Sequence, residues 1–189
     1  ATCESRAGNY LVYFPSYAYL AAVHEILKEK LPQNRLLLQD RAMDEVAREA
    51  FLARFSAGNQ ESLIGLAVMG GIFGEGIDLV GERLIGVVIV GVGVPQIGLE
   101  RDLIKQYFDE QSGNGFAYAY QYPGFNRVLQ ATGRVIRTET DRGVIVLIDE
   151  RFTHARYRQL FPSHWRNARV VASVADITTE LNAFWSSWF

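Results

Sequence analysis

Short apolar runs alternate with amphipathic segments along the whole chain. Six of these runs predict strands, at residues 10–14, 36–38, 66–69, 84–90, 144–148 and 170–174. The runs are continuous rather than alternating with polar residues, which is typical of strands that are covered on both faces of a parallel sheet. Much of the chain is therefore predicted to form one buried, mostly parallel sheet.

The segments between the runs predict helices. One begins after Ser16, a suitable capping residue, and places one apolar face at Leu20, Val23 and Leu27. Another begins after Asp44 and is expected to bury Val46, Ala50, Phe51 and Phe55. Three more are predicted over residues 99–108, 125–136 and 176–188. Strands and helices that alternate in this way indicate right-handed βαβ units, and so a single three-layer α/β/α domain over residues 1–189.

Residues 112–124 interrupt this alternation. The segment reads SGNGFAYAYQYPG, is rich in glycine and aromatic residues, and lies between two predicted helices. We interpret it as an ordered helical and aromatic insertion. Its aromatic side chains either offer stacking surfaces or pack in a helix–helix contact, and the sequence leaves both open; they are Phe116, Tyr118, Tyr120 and Tyr122.

Composition limits the cellular setting and the cofactors. The chain has 189 residues and a formal net charge of −2, and no apolar run reaches the roughly 18 to 20 residues that a membrane-spanning helix needs. With Cys3 as the single cysteine, neither an internal disulfide nor a cysteine-held zinc or iron–sulfur site can form within the chain. We therefore expect a cytoplasmic protein that does not contact a membrane and has no metal site of its own.

The net charge hides an uneven distribution. Residues 127–169 contain nine arginines and four acidic residues, whereas acidic residues outnumber basic ones in residues 1–126. Arginine suits bidentate contacts to phosphate or carboxylate groups, so this part of the chain can face a polyanion. Surface ion pairs are the alternative for many of these arginines.

Two of the arginines stand three residues apart in the segment QATGRVIR at residues 130–137. At that spacing Arg134 and Arg137 are expected to project from the same face of a helix. Gly133 removes a side chain beside them, which allows close approach of a backbone or a phosphate. A pair of guanidinium groups that reaches a γ-phosphate is the chemistry of an arginine finger. From spacing alone, a salt-bridged surface remains the alternative.

A glycine-rich segment at residues 70–84 lies between two predicted strands. We expect this segment, and Arg134 and Arg137 with it, at the carboxyl edge of the sheet, where open α/β folds bind ligands. Gly74 and Gly76 permit tight turns that present backbone N–H groups. Asp78 can accept a hydrogen bond from a ribose hydroxyl or hold Arg134 or Arg137, or it can be a turn or cap residue.

Three segments together resemble one family. GGIFGEGIDLVGERLIGVVIVGVGVP at residues 70–95 resembles motif V of the XPD/DinG-type helicases of superfamily 2. QATGRVIRTETDRGVIVLIDERF at residues 130–152 resembles their motif VI, including its D-x-G and D-x-R-F tail. NYLVYFPSYAYL at residues 9–20 resembles their motif IV. The three occur in the family's order, which implies the second RecA-like motor domain of a DNA helicase.

The resemblance assigns roles to particular residues. In this family two RecA-like domains bind ATP between them, so Arg134 and Arg137 are expected to reach the ATP phosphates as catalytic groups. The expected nucleotide-site residues are Gln130, Gly133, Glu75, Gly76 and Asp78. The expected DNA-binding residues are Ser16, Tyr17, Gly70 and Gly71. The implied partners are single-stranded DNA, its junctions with duplex, and the first RecA-like domain of the same polypeptide; the implied movement is 5′ to 3′.

The chain also departs from a complete motor. It contains no G-x-x-x-x-G-K-[ST] phosphate loop and no DEAH-like acidic box. ATP and Mg²⁺ are therefore expected to be shared with the first domain, an iron–sulfur cluster is possible only elsewhere in the full-length protein, and this chain alone is predicted not to hydrolyse ATP. Two alternatives remain: an RNA helicase or translocase motor of the same superfamily, and a non-catalytic nucleic-acid-binding module on the same fold.

Overall fold

A computed structural model describes residues 1–73, 77–138 and 140–187. Its five strands are β1 (Asn9–Phe14), β2 (Leu36–Leu38), β3 (Leu63–Val68), β4 (Gly86–Val90) and β5 (Val144–Ile148). They form one sheet in the order β2-β3-β1-β4-β5, and every pair of neighbours is parallel. The predicted parallel sheet is confirmed.

The helices lie between and after the strands. They are α1 (Thr2–Ser5), α2 (Tyr17–Lys28), α3 (Glu45–Ala53), α4 (Leu99–Ser112), α5 (Tyr122–Thr132), α6 (Ala155–Arg158) and α7 (Val174–Ser186). A π-helical stretch, Ala117–Gln121, leads directly into α5. Short 3₁₀ turns occur at Gln33–Arg35, Gly81–Arg83, Glu150–Thr153 and Ser163–Trp165.

Alternate residues of the strands face two separate apolar layers. Leu11 and Tyr13 of β1 are buried with residues of α3 and α5, whereas Phe14 is buried with Leu20 of α2. Tyr10 belongs to a third cluster, together with two residues of α7. Helices therefore cover both faces of the sheet, which confirms the three-layer α/β/α fold. The two-residue period of a strand explains why one strand supplies both layers.

The predicted sixth strand, at residues 170–174, was wrong. Val170 and Val171 are exposed and lie outside regular structure, and Val174 begins α7. The side chain of Ser173 caps that helix by accepting a hydrogen bond from the backbone N–H of Asp176. Valine favours strands because it packs on a partly buried pleated surface. Without a neighbouring strand, the short apolar run has no such surface.

The predicted burial of α3 was only half right. Phe51 and Phe55 are buried in the main core, but Val46 is 76% exposed and Ala50 is exposed too. The helix begins at Glu45 and has only nine residues, so one narrow stripe of it meets the sheet. The first turn projects beyond that contact, which leaves Val46 in solvent.

The insertion at residues 112–124 is ordered and largely helical. Gly113 ends α4 in the left-handed conformation, with φ of 69°, a conformation that glycine adopts without a steric penalty. The chain then turns back, and residues from Gly115 lead through the π-helical stretch into α5. Helix α5 is therefore reached from a continuous helical segment that starts well before the predicted residue 125.

Candidate functional site

Helix α5 crosses one face of the sheet from its carboxyl end to its amino end. Near the start of the helix, Gly124 contacts Gly93, which follows β4: a methyl group built on Gly93 would lie 2.6 Å from the carbonyl oxygen of Gly124. Just beyond its end, Val135 lies against Gly143, which directly precedes β5 and in turn lies against the carbonyl of Ile85, the residue before β4. The arginines that follow α5 therefore lie toward the amino ends of these strands, and their expected position at the carboxyl edge was wrong.

Arg134 and Arg137 meet at one backbone carbonyl. The guanidinium group of Arg137 donates to the carbonyl oxygen of Ile77 and to the carboxylate of Asp78. Nη1 of Arg134 lies 3.4 Å from the same Ile77 oxygen. The sequence left several roles open for Asp78, and within the structure its side chain holds Arg137.

The two arginines do not share a helical face as expected, because α5 ends at Thr132. The backbone continues in tight turns, in which the N–H groups of Arg134 and Val135 donate to the carbonyls of Ala131 and Thr132. The guanidinium groups converge through their common acceptor instead. Gly133 and Gln130 are exposed beside them, on the surface of α5 and its last turn.

Asp141 fixes the backbone that carries Arg137. One carboxylate oxygen accepts hydrogen bonds from the backbone N–H groups of Arg137 and Thr138, each at 2.9 Å. These two bonds hold the pKa of Asp141 below its ordinary value. We call Ile77, Asp78, Arg134, Arg137 and Asp141 the arginine cluster. Two other predicted nucleotide-site residues, Glu75 and Gly76, lie outside the described residues.

Arg134 also lies near the buried face of β1. The hydroxyl of Tyr13 donates to the carbonyl oxygen of Phe73 at 2.8 Å. Burial raises the pKa of Tyr13, and the positive charge of Arg134 acts in the opposite direction. Phe73, the last described residue before 74–76, is thus tied by a hydrogen bond to the central strand of the sheet.

A second group of predicted residues meets at the carboxyl edge of the sheet. Ser16 caps α2 by accepting a hydrogen bond from the backbone N–H of Tyr19. The next residue, Tyr17, accepts a hydrogen bond through its hydroxyl from the side chain of Gln39, at 2.8 Å. A methyl group built on Gly71 would lie 3.1 Å from that same Gln39 nitrogen. The structure thus brings Tyr17 and Gly71 together, although β2 and β3 separate them in the chain.

Two arginines border this edge. A methyl group built on Gly70, whose φ is 74°, would lie 3.1 Å from Nε of Arg127. Arg127 belongs to α5, and its Nη1 lies 3.4 Å from the carbonyl oxygen of Gly93. The guanidinium carbon of Arg41 lies 5.2 Å from the centre of the Tyr17 ring. We call Tyr17, Gln39, Gly70, Gly71 and Arg127 the carboxyl-edge cluster.

Sequence reasoning missed Gln39, Arg41 and Arg127 as candidate residues. Gln39 had a recognisable signal: it directly follows the apolar run of β2, and residues after parallel strands gather at the ligand-binding edge. Arg127 begins the arginine-rich part of the chain, residues 127–169, but its place at this edge gave no signal, because it depends on how α5 packs. Its contact with Gly70 joins residues 57 positions apart in the sequence.

The aromatic insertion makes a helix–helix contact. The rings of Tyr118 and Phe108 of α4 stack with centres 3.9 Å apart, and the hydroxyl of Tyr120 donates to Asp102 at 3.1 Å. Phe116, Tyr118 and Tyr122 nevertheless remain between 37% and 44% exposed. Packing between helices therefore covers part of the aromatic rings of the insertion. That their exposed faces stack on nucleic-acid bases stays a prediction.

Two further features concern ligands and membranes. Among residues 1–73, 77–138 and 140–187, no group of three or more His, Cys, Asp or Glu side chains is arranged to hold a metal ion. Within those same ranges, no helix has both the length and the apolar character that crossing a bilayer requires.

Comparison with known proteins decides the family. The helicase C-terminal domain family matches residues 1–168. The chain belongs to this family. A solved structure titled XPD helicase superimposes on 82% of this helicase domain with a TM-score of 0.62 and 26% sequence identity, covering 27% of that structure's chain. This likeness confirms the RecA-like fold, and the XPD/DinG type of helicase domain.

Two curated relatives of the helicase domain come from an animal and a bacterium. It is 33% identical to regulator of telomere elongation helicase 1 of Bos taurus, over 92% of this chain and 16% of the relative. It is 30% identical to the ATP-dependent DNA helicase DinG of Photobacterium profundum, over 78% of this chain and 21% of the relative. The helicase domain thus spans about a fifth or less of the length of these relatives.

Proposed function

We propose that this domain is the second motor of an ATP-dependent DNA helicase and supplies Arg134 and Arg137 to ATP bound on a first RecA-like domain. The convergence of both guanidinium groups on Ile77, with Asp78 holding Arg137, is the observation that carries the proposal. Two adjacent positive groups on a pre-shaped surface match the negative charge that develops on a transferring phosphoryl group.

The position of the arginines toward the amino ends of the strands is compatible with this role. The rule that ligands bind at the carboxyl edge concerns the domain that holds the ligand. A domain that contributes only guanidinium groups to a neighbour's ATP has to present those groups across the interface, whichever of its own edges they occupy. Their position over Ile77 and Asp78 leaves the carboxyl edge available for a different partner.

Asp78 gives Arg137 a partner that can be exchanged. The Asp78 side chain is 81% exposed and that of Arg137 is 22% exposed, and ion pairs at the surface are worth only about 0–1 kcal/mol. A phosphate offers more charge and three acceptor oxygens. We infer that Arg137 moves from Asp78 to the γ-phosphate when the two domains close, and returns after phosphate release.

The remaining nucleotide contacts divide between the two domains. Gln130 and Gly133 lie exposed beside the arginines, and Glu75, Gly76 and Asp78 complete the proposed contribution of this chain. The chain has no phosphate-loop motif, so we assign the main phosphate and Mg²⁺ ligands to the first domain. An iron–sulfur cluster, if the full-length protein has one, belongs outside this chain as well.

The carboxyl-edge cluster is the proposed track for single-stranded DNA, including strands that end at a duplex junction. Ser16, Tyr17, Gly70 and Gly71 lie there, bordered by Arg41 and Arg127. Such groups contact phosphates and so bind without sequence preference. DinG is named a DNA helicase, which favours DNA over RNA as the substrate. Movement from 5′ to 3′ is proposed from the resemblance to the XPD/DinG type.

The decisive experiment replaces Arg137 in the intact protein that carries this domain. Arg137→Ala is expected to lower DNA-stimulated ATPase kcat by about 10³, the lower end of what arginine fingers contribute. Arg137→Lys is expected to rescue little of it, because a single ammonium group does not replace a planar fork of donors. Phosphate release is measured at saturating single-stranded DNA.

Two controls define the outcomes of that experiment. Arg166→Ala removes an exposed arginine far along the chain and should leave kcat unchanged. The 189-residue chain by itself should release no phosphate above background. Unchanged kcat in Arg137→Ala would refute the finger role and favour a non-catalytic module, and robust DNA-stimulated turnover by the isolated chain would refute the two-domain site.

A further inference from the structure

Gln39 is a buried polar residue whose hydrogen bonds fix which way its amide points. The side chain is 2% exposed. Its oxygen accepts a hydrogen bond from the backbone N–H of Val68 at 2.7 Å, and a backbone N–H can only donate. The amide nitrogen of Gln39 therefore faces Tyr17, and it must be the donor in the 2.8 Å contact with the hydroxyl.

This direction determines what the Tyr17 hydroxyl can do. Its oxygen already accepts a hydrogen bond from Gln39, so its own proton must point elsewhere. Within residues 1–73, 77–138 and 140–187, no hydrogen-bond acceptor is paired with that proton. The ring is steadied by the guanidinium group of Arg41, 5.2 Å from its centre. The edge thus presents a phenolic O–H donor in a fixed place.

Gln39 also ties this donor to the glycine turn. Gln39 accepts its hydrogen bond from Val68, the last residue of β3, and Gly70 and Gly71 follow after Met69. The backbone N–H of Gly71 donates to the carbonyl of Val68 at 3.1 Å, and Gly71 itself lies against the Gln39 amide. One side chain therefore links the ends of β2 and β3 to the first residue of α2.

We propose that Gln39 is a positioning residue for single-stranded DNA, which holds the Tyr17 hydroxyl as a hydrogen-bond donor toward a backbone phosphate. The proposal rests on the assignment of the carboxyl edge to DNA. A phosphate oxygen is a suitable acceptor because it is charged and accepts strong hydrogen bonds, and Arg127 beside Gly70 supplies positive charge on the same edge.

Tyr17→Phe and Gln39→Glu test the direction of this hydrogen bond. Tyr17→Phe removes the donor and keeps the ring. Gln39→Glu retains an acceptor for the backbone N–H of Val68, but its carboxylate accepts a hydrogen bond from the Tyr17 hydroxyl and so reverses the direction of that bond. Each is expected to weaken binding of a fluorescent oligo(dT) strand to the intact protein by roughly tenfold, the size of one charge-assisted hydrogen bond.

Gln39→Met and a double variant separate positioning from general damage. Gln39→Met removes the amide's donor and acceptor, and it should weaken DNA binding when Tyr17 is unchanged. In the Tyr17→Phe background the same change should have little further effect, because the donor that Gln39 orients is already absent. Gln111→Met, an exposed change of the same type, should have no effect in either background. Thermal unfolding checks that each variant is folded.

Arg127→Ala distinguishes failure of this inference from failure of the DNA-binding assignment. It should weaken DNA binding and lower the slope of log affinity against log salt by roughly one unit, whereas Tyr17→Phe should leave the slope unchanged. If Tyr17→Phe and Arg127→Ala weaken binding but the Gln39 variants do not, or if the Gln39 and Tyr17 effects simply add, the positioning role is overturned. If none of these variants weakens binding, the carboxyl edge is not the DNA track.

Discussion

The arginine cluster and the carboxyl-edge cluster lie at opposite ends of α5 and are built differently. In the arginine cluster, charged groups meet near the surface, and Asp78 is 81% exposed. In the carboxyl-edge cluster, a neutral amide that is 2% exposed organises the site. Exposed ion pairs are weak and easily exchanged, whereas a buried hydrogen bond is costly to break. The arginine cluster is therefore suited to exchanging one partner for another, and the carboxyl-edge cluster to keeping one fixed arrangement.

The largest expected effect comes from disturbing the start of α5, which both regions depend on. Gly93→Ala is expected to destabilise the domain by about 2–4 kcal/mol, because alanine is strained in the left-handed backbone conformation and its methyl group has no room beside α5. Gly93 has φ of 67°, and an added methyl group would lie 2.6 Å from the carbonyl oxygen of Gly124. Urea unfolding followed by circular dichroism gives the free energy.

Gly58→Ala is the matched control for Gly93→Ala. Gly58 has a similar φ of 75°, but no atom lies within 4 Å of an added methyl group. Its cost should be only the backbone strain, about 1 kcal/mol. Equal losses in the two variants would show that the contact between Gly93 and α5 contributes nothing.

A smaller effect is expected at Asp141, and it should depend on pH. Asp141→Asn weakens the two hydrogen bonds to the backbone of residues 137 and 138. The pKa of Asp141 in the folded protein is below the ordinary value of 3.8, so the carboxylate stabilises the fold fully above that value and loses this contribution as the pH falls through the folded pKa. The urea midpoint of the wild type should therefore exceed that of the variant at pH 7.

The same two proteins compared at low pH complete this prediction. Below pH 3.8, the ordinary value for the carboxyl, the difference between their urea midpoints should shrink. A difference that persists unchanged at low pH would mean that the ionised carboxylate is not what holds the turn.

The smallest effect on stability is expected at Asp78. Asp78→Asn removes an exposed ion pair with Arg137 and should change the free energy of unfolding by less than about 1 kcal/mol. If Asp78 is an exchangeable partner, DNA-stimulated ATPase should fall by less than tenfold, far less than in Arg137→Ala. A stability loss as large as that of Gly93→Ala would contradict the comparison between the two regions.

The sheet was predictable because its signal is local. Continuous apolar runs identified β1 to β5, and Ser16 and Asp44 marked the starts of α2 and α3. Both side chains accept capping hydrogen bonds, which was expected for Ser16. The run at residues 170–174 shows the limit of that signal. A run of valines has the same local preference whether or not another strand is present to pair with it.

The site was predictable in its residues but not in its geometry. The motif pattern selected Arg134, Arg137 and Asp78, and the structure places them in contact. Their position relative to the strand ends was wrong, because it depends on the direction in which α5 crosses the sheet. Gln39 was missed because an isolated glutamine has no pattern of its own; only packing shows that it is buried and doubly hydrogen-bonded.

Helix α5 acts as a spacer of fixed length. Its eleven residues rise about 1.5 Å each, so the helix separates its ends by roughly 16 Å. Inserting or deleting one residue would shift everything after it by one rise and turn it by about 100°, which would carry the guanidinium groups away from Ile77. Changes of length are therefore tolerable in the surface loops of this domain, but within α5 they would misalign the two ends.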